Sequence, residues 1–200
     1  MKNISVKQIP QFVRDNYAIY EWRHASAIMQ NDFPDEWRDI IDVLQNFRLL
    51  KSNLIVGGGR KSKIAENFDA FLYERDWEEK SFDTKIVIDG TEFITPTHKV
   101  DCYKNRVAVE IEWNNKTEFY DRDLNNFRML FELNAISVGI IITRTSELQQ
   151  IFNQIGRGNS FGSSTTHLNK LLPKIDGGGG GGCPILVFGI KDSLYVDDIK

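Results

Sequence analysis

The sequence predicts an α/β protein whose core is a mixed β-sheet flanked by helices. Residues 106–113, "RVAVEIEW", alternate in the manner of a strand, and residues 117–134 repeat apolar side chains at helical spacing. Residues 137–143, "SVGIIIT", then form an unbroken apolar run. A strand, an amphipathic helix and a fully apolar strand in this order are typical of a βαβ unit, whose second strand is covered on both faces. A later apolar run at 184–190, "PILVFGI", predicts another core strand.

Composition bounds the chain to one ordinary domain. Its 200 residues, 41% hydrophobic and 26% charged, suit a single domain over residues 1–200 that folds and stays soluble. We expect a cytoplasmic protein, because neither a signal peptide nor a membrane-spanning run is recognisable. Cys102 and Cys183 lack the C-x-x-C spacing of a zinc site, so reduced thiols are expected. Consecutive glycines at 177–182 predict a mobile surface linker, since ordering them is costly.

The first half of the chain contains further helix and strand patterns. Residues 33–50 have the apolar spacing of a core-packing helix, and residues 64–80 predict a second amphipathic helix with Trp77 facing inward. Two strands follow, joined by a hairpin turn at residues 89–90, "DG". Residues 17–33 fit either a strand or a helix.

Three carboxylates are expected on one side of a β-hairpin within "VDCYKNRVAVEIEW". Side chains alternate along a strand, so Glu110 and Glu112 share one face while the apolar residues beside them share the other. A two-residue turn at 104–105 would place Asp101 opposite Ala108, on the same face as the two glutamates. Asp101 would then lie diagonal to Glu110, at roughly 7 Å between alpha carbons.

This carboxylate cluster indicates either a cation site or a solvated surface. Grouped carboxylates repel one another, so at neutral pH they take up a proton or bind a cation. Hard oxygen ligands suit Mg²⁺, and a metal so held can assist phosphodiester hydrolysis. Alternating Glu and aliphatic residues are also typical of a solvated strand face, and the pattern alone leaves this alternative open. The net charge of −3 does not decide whether a nucleic acid binds, because basic residues cluster locally.

An Asp followed by Glu-x-Glu on a strand, then a helix and a buried strand, resembles the core of the PD-(D/E)xK nucleases. More narrowly, the chain resembles type II restriction endonucleases of the BglII, BstYI and BamHI group. Besides the carboxylate hairpin, the likeness includes "IAENFDAFLYERDW", "NNFRMLFEL", "VGIIIT" and "SFGSSTTHLNKLL" before "PILVFGI". It implies a restriction-endonuclease-like fold and Mg²⁺-dependent hydrolysis of double-stranded DNA, with 5′-phosphate ends, at a palindromic site of about six base pairs.

The resemblance also implies roles for individual acids. Asp101, Glu110 and Glu112 would be catalytic and, with the backbone carbonyl of Ile111, would bind the metal. Most of the superfamily has Lys where this chain has Glu112, although the BamHI branch also has an acid there. The additional negative charge favours a second metal or a general-base role. Glu66, on the preceding helix, is a further catalytic candidate that the helix could equally expose to solvent.

Basic and polar residues are expected to contact DNA. The loop "GNSFGSSTTH" corresponds to the base-reading loop of the group, since hydroxyl and amide groups can bond to major-groove edges. The same composition is also typical of an ordinary Ser/Gly-rich surface loop. Residues on both sides of the catalytic hairpin are expected to contact phosphates. The expected DNA contacts are Arg60, Lys61, Lys63, Lys104, Asn114, Asn115, Lys116, Asn159, Ser160, Ser163, Ser164, Thr165, Thr166 and His167.

Three functions are compatible with these expectations. The first is a type II restriction endonuclease that acts as a homodimer, with a companion DNA methyltransferase implied by the resemblance. The second is a repair or junction nuclease on the same core, which would recognise DNA structure rather than sequence. The third is a non-catalytic DNA-binding or interaction domain in which the acids form a solvated face.

Overall fold

The computed structural model describes residues 8–56, 61–162 and 164–199, and its backbone forms a mixed β-sheet flanked by helices. This confirms the predicted fold class. The helices are α1 (Gln11–Asn16), α2 (Ala25–Asp32), α3 (Pro34–Asn46), α4 (Lys51–Ile55), α5 (Lys63–Tyr73), α6 (Glu118–Glu132), α7 (Gln149–Gln154) and α8 (Leu168–Asp176). The strands are β1 (Tyr17–Trp22), β2 (Leu49–Leu50), β3 (Glu78–Lys80), β4 (Asp83–Ile88), β5 (Thr91–Pro96), β6 (Val100–Lys104), β7 (Val107–Ile111), β8 (Val138–Arg144), β9 (Ile185–Ile190) and β10 (Tyr195–Val196).

The centre of the main sheet is the βαβ unit that the sequence predicts. Strands β7 and β8 are parallel neighbours joined by α6, and β9 lies parallel to β8. Antiparallel strands extend the sheet on both sides, in the order β1-β9-β8-β7-β6-β3. Every residue of β7, β8 and β9 is buried, which explains why β9 and the first five residues of β8 are apolar.

Helices cover both faces of this sheet. The face with Val107 and Val109 packs against α1, α2, α3 and α5, while the face with Ala108 packs against α6 and α8. Gly139 of β8 permits the close approach of α6, because a Cβ at this position would overlap the ring of Phe127. Within the described ranges, no helix is long and apolar enough to cross a membrane.

Helix α5 is shorter than the sequence predicts. It ends at Tyr73, because the chain turns at Asp76, whose φ of 63° is incompatible with an α-helix. The predicted last turn of the helix, Glu78–Lys80, forms strand β3 instead. Trp77 is buried, as predicted, and its Nε1 donates a hydrogen bond to Oδ2 of Asp39 at 2.9 Å.

Three other segments also have defined structure. The predicted hairpin is present as β4 and β5, and its turn residues Asp89 and Gly90 have φ values of 48° and 79°. The ambiguous segment 17–33 contains strand β1 and helix α2. Gly177–Gly182 connects α8 to β9 through hydrogen-bonded turns. The mobility expected of this linker stays a prediction.

Candidate active site

The hairpin of β6 and β7 has a different register from the predicted one. Lys104 pairs with Val107, so the turn consists of Asn105 and Arg106 rather than residues 104–105. Both turn residues have positive φ, 42° and 69°, as a two-residue hairpin turn of type I′ requires. The predicted turn was therefore wrong by one residue, which shifts every cross-strand pair by two.

The observed register brings two of the predicted carboxylates closer together. Continuing the pairing by one residue places Asp101 opposite Glu110 instead of opposite Ala108. Oδ2 of Asp101 accepts a hydrogen bond from the backbone N–H of Ile111 at 3.0 Å. This bond fixes the Asp101 side chain against the neighbouring strand, on the face that Glu110 and Glu112 share.

Glu110 and Glu112 are buried next to α6, with 1% and 2% of their surfaces exposed. A solvated strand face is therefore excluded for these two side chains. Oε1 of Glu110 has no hydrogen-bond partner among the described residues. Glu112 accepts hydrogen bonds from Nδ2 of Asn115 at 2.8 Å and from Nη2 of Arg122 at 3.3 Å. Buried acids in such a group are costly, which is typical of functional sites.

Helix α6 adds two residues that sequence reasoning missed, Arg122 and Asp123. Asp123 is fully buried, and its Oδ1 accepts hydrogen bonds from Nε and Nη2 of Arg122 at 2.9 and 2.7 Å. Asp123 also shares a hydrogen bond with Glu112, in which Glu112 has to carry the proton. The guanidinium of Arg122 also lies over the ring of Phe119, 4.2 Å from the ring centroid. A signal existed in the sequence, because Asp123 falls between Tyr120 and Phe127 on the apolar face of the helix.

Burial and mutual repulsion raise the pKa values of these acids. Burial raises the pKa of Glu110 well above its ordinary value, and the charges of Asp123, Asp101 and Glu112 raise it further. The pKa of Glu112 is raised to about 9, first by burial and then by the charge of Asp123. Burial also raises the pKa of Asp123. Without a bound cation, the cluster therefore retains protons at neutral pH.

Lys61 and Asp69 form a second charged group beside Asp101. Nζ of Lys61 lies 4.0 Å from Oδ1 of Asp101 and forms an ion pair with Asp69, a buried residue of α5. The Sγ of Cys102 donates to Oδ1 of Asp69 at 3.5 Å. Burial raises the pKa of Asp69, and Lys61 opposes this rise. Sequence reasoning missed Asp69 as well, although it lies on the buried face of its helix with Phe68 and other apolar residues.

An open cleft of about 930 Å³ lies in front of these groups. Acids and cations both line it, so the cleft offers oxygen ligands to a metal ion and positive charge to a phosphate. The acids Glu66, Asp101 and Glu112 and the cations Lys61 and Arg122 lie in its wall, together with the neutral amide of Asn115.

The acids are suitable ligands for a divalent cation, but their oxygens are not already grouped in a coordination geometry. In the described part of the chain, no three or more His, Cys, Asp or Glu side chains are grouped to hold a metal ion. Oδ2 of Asp101 and both carboxylate oxygens of Glu112 accept hydrogen bonds from protein donors instead. Glu110 differs, since a proton or a cation is needed to compensate its buried Oε1. Carboxylate oxygens beside the backbone carbonyl of Ile111 are the type of ligand that Mg²⁺ prefers.

Glu66 and two of the predicted DNA contacts are paired with other residues. Glu66 lies in the first turn of α5, and its Oε2 is 2.5 Å from Nζ of Lys63. Lys104 lies at the turn end of β6, where its Nζ is 2.9 Å from Oδ2 of Asp39 and donates to the carbonyl of Arg75 at 2.7 Å. The catalytic role of Glu66 and the DNA contacts of both lysines stay predictions.

The remaining predicted contacts lie near the end of β7 and in the loop between α7 and α8. Lys116 forms a β-bridge with Thr165, which brings the two segments together. Thr166 and His167 are buried. Arg60 and Ser163 lie outside the described residues. Asn114 and Asn115 line the cleft, while Asn159, Ser160 and Ser164 are exposed. None of these DNA contacts is tested by the fold alone, and they stay predictions.

Comparison with known proteins gives one family match. A protein-family model described as "Restriction endonuclease BglII/BglIII" matches residues 17–190. No curated protein matches the chain. The matched range begins at the first residue of β1 and ends at the last residue of β9. It therefore includes the whole main sheet and every carboxylate of the cluster.

Proposed function

The chain belongs to the BglII/BglIII family of restriction endonucleases, and from this premise we propose that it is a Mg²⁺-dependent type II enzyme that cuts double-stranded DNA at a specific palindromic site. The observation that supports this proposal most is the carboxylate cluster of Asp101, Glu110 and Glu112 beside the cleft. Two of these acids are buried, and Oε1 of Glu110 has no described partner. Such an arrangement is costly for folding and suited to a cation.

In this proposal, Asp101, Glu110 and Glu112 hold Mg²⁺ together with the backbone carbonyl of Ile111. When bound, Mg²⁺ supplies electrostatic stabilisation of the charge that develops on the phosphate during hydrolysis. A cation also favours the ionised form of the acids around it, which offsets the raised pKa of Glu112. The ionised form is the one in which Glu112 can accept a proton.

Glu112 is the proposed general base. Asn115 and Arg122 each bond to one of its carboxylate oxygens, so its orientation is fixed. As the oxygen of the attacking water bonds to phosphorus, Glu112 accepts the proton that the water loses. The bond between phosphorus and the 3′ oxygen breaks, which leaves a 5′-phosphate and, after protonation by solvent, a 3′-hydroxyl. Arg122 and Lys61 attract the phosphate into the cleft.

DNA recognition and assembly complete the proposal. The loop between α7 and α8 reads base edges, and residues 114–116 contact phosphates together with Lys61 and Lys63. A homodimer acts on a site of about six base pairs with a staggered cut, since two-fold symmetry in the protein matches a palindrome. The resemblance to the BstYI and BamHI group and to the PD-(D/E)xK superfamily supports these details. It also supports a cytoplasmic location and a companion DNA methyltransferase.

Digestion of a plasmid of known sequence, with and without Mg²⁺, tests this function. We expect discrete fragments only with Mg²⁺, and sequencing of the ends should identify a palindrome and 5′-phosphates. Nicking that depends on branches or lesions rather than on sequence would support a repair or junction nuclease instead. Specific binding without cleavage under any metal condition would support a non-catalytic DNA-binding domain.

A further inference from the structure

Arg144, the last residue of β8, is a buried cation that forms no ion pair with any described acid. Only 1% of its surface is exposed, and burial lowers the pKa of its guanidinium to about 10. Its Nε has no hydrogen-bond partner in the described part of the chain. Burying a cation is costly unless hydrogen bonds compensate for the lost water. The groups that accept those bonds therefore indicate what Arg144 does.

All of these acceptors belong to the α7–α8 loop, of which residues 155–162 and 164–167 are described. Nη2 donates to the carbonyl oxygens of Phe161 at 3.1 Å and Gly162 at 3.3 Å. It also donates to Oγ1 of Thr165 at 3.0 Å. The guanidinium thus holds the backbone and one side chain of the loop that we propose to read bases.

One residue further on, the same loop is also joined to the segment that follows β7. The N–H of Thr166 donates to the carbonyl of Asn115 at 2.9 Å, and the N–H of Asn115 donates to Oγ1 of Thr166 at 3.1 Å. The side chain of Asn115 in turn donates to Oε2 of Glu112 at 2.8 Å. A series of contacts therefore connects Arg144, through the adjacent residues Thr165 and Thr166, to Glu112.

We infer that Arg144 is a positioning residue that couples base recognition by the α7–α8 loop to the orientation of Glu112. The inference rests on the proposed function and deepens it. Because Arg144 is buried, it does not touch DNA, and any effect on base discrimination acts through the loop. An apolar side chain of similar length would fill the same space but leave two carbonyls and one hydroxyl without this donor.

The test uses Arg144→Met and Arg144→Lys in the full chain. Cleavage is measured on a duplex with the mapped site and on the same duplex with one base pair changed. We expect Arg144→Met to lower both kcat at the mapped site and the kcat/KM ratio of the two duplexes by about tenfold or more. That is the loss expected for a hydrogen bond to a charged group. Arg144→Lys should restore part of both, and Arg38→Met, at an exposed arginine of α3, should change neither.

A purely structural role makes a different prediction, a lower melting temperature with unchanged discrimination, and this result would overturn the inference. If Arg144→Met does not fold, Arg144→Lys decides by the same comparison. The double variant Arg144→Met with Thr165→Val separates positioning from direct base contact. If the two residues act in one pathway, the losses of discrimination in the single variants are not additive in the double variant. Additive losses would contradict the inference. Absence of cleavage by the wild-type protein would overturn the proposed function as well, whereas wild-type discrimination in the variants overturns this inference alone.

Discussion

Glu112 should destabilise the metal-free protein as the pH rises. Its pKa is raised from 4.5 to about 9 in the folded chain, first by burial and then by the charge of Asp123. Between these two values the folded protein retains a proton that the unfolded chain has lost. The free energy of unfolding therefore falls by about 1.4 kcal/mol for each pH unit, or about 3 kcal/mol between about pH 6 and about pH 8.

Glu112→Gln should remove this contribution, because Gln is neutral and can still accept the hydrogen bond from Asn115. The free energy of unfolding of the variant minus that of the wild type should increase by about 3 kcal/mol from about pH 6 to about pH 8. This corresponds to a change in the melting-temperature difference on the order of 10 °C. Urea unfolding in EDTA, followed by tryptophan fluorescence, measures this difference. Glu132→Gln, at an exposed acid of α6, is the matched control and should give a constant difference. A constant difference for Glu112→Gln would refute the reasoning.

Two further predictions concern Arg122, which lines the cleft, and the hairpin turn between β6 and β7. Arg122→Ala should slow single-turnover cleavage about 100-fold or more, because it removes a preorganised, positively charged hydrogen-bond donor. Arg128→Ala, at an exposed position of the same helix, should cleave at the wild-type rate. Equal rates for the two variants would contradict the role given to Arg122. Arg106→Gly should raise the free energy of unfolding by roughly 0.5–1 kcal/mol in urea, because Arg106 has a φ of 69° that glycine adopts without strain. A decrease would argue against the observed turn.

The order of strands and helices could be predicted because burial gives each kind of element a characteristic spacing of apolar residues. Residues 138–142 are apolar without interruption, and the strand to which they belong is covered on both faces. The alternation of side chains likewise predicted that Glu110 and Glu112 share a face. The register was not predictable in the same way. It depends on positive φ at Asn105 and Arg106, and an arginine in the second turn position gives no signal that a glycine would have given.

The chemistry of the site depended on tertiary contacts that alternation cannot show. The sequence of a strand with alternating acids does not show whether its charged face is exposed to water or packed against a helix. In this protein that face packs against α6. Asp69 and Asp123 are not predicted from the sequence, because a single acid within an amphipathic helix does not by itself indicate a site. Both lie on the buried faces of their helices, and an acid on an apolar face is the signal that could have found them.

The central claim, that the buried carboxylates serve metal-dependent DNA cleavage, is tested most directly at Glu110. Cleavage and sequence-specific binding are measured for Glu110→Ala and for the wild type on one duplex that contains the mapped site. We predict that Glu110→Ala cleaves nothing detectable in Mg²⁺ but still binds the duplex, within a few-fold of wild-type affinity, when no activating metal is present. Cleavage by Glu110→Ala at the wild-type rate would contradict the claim.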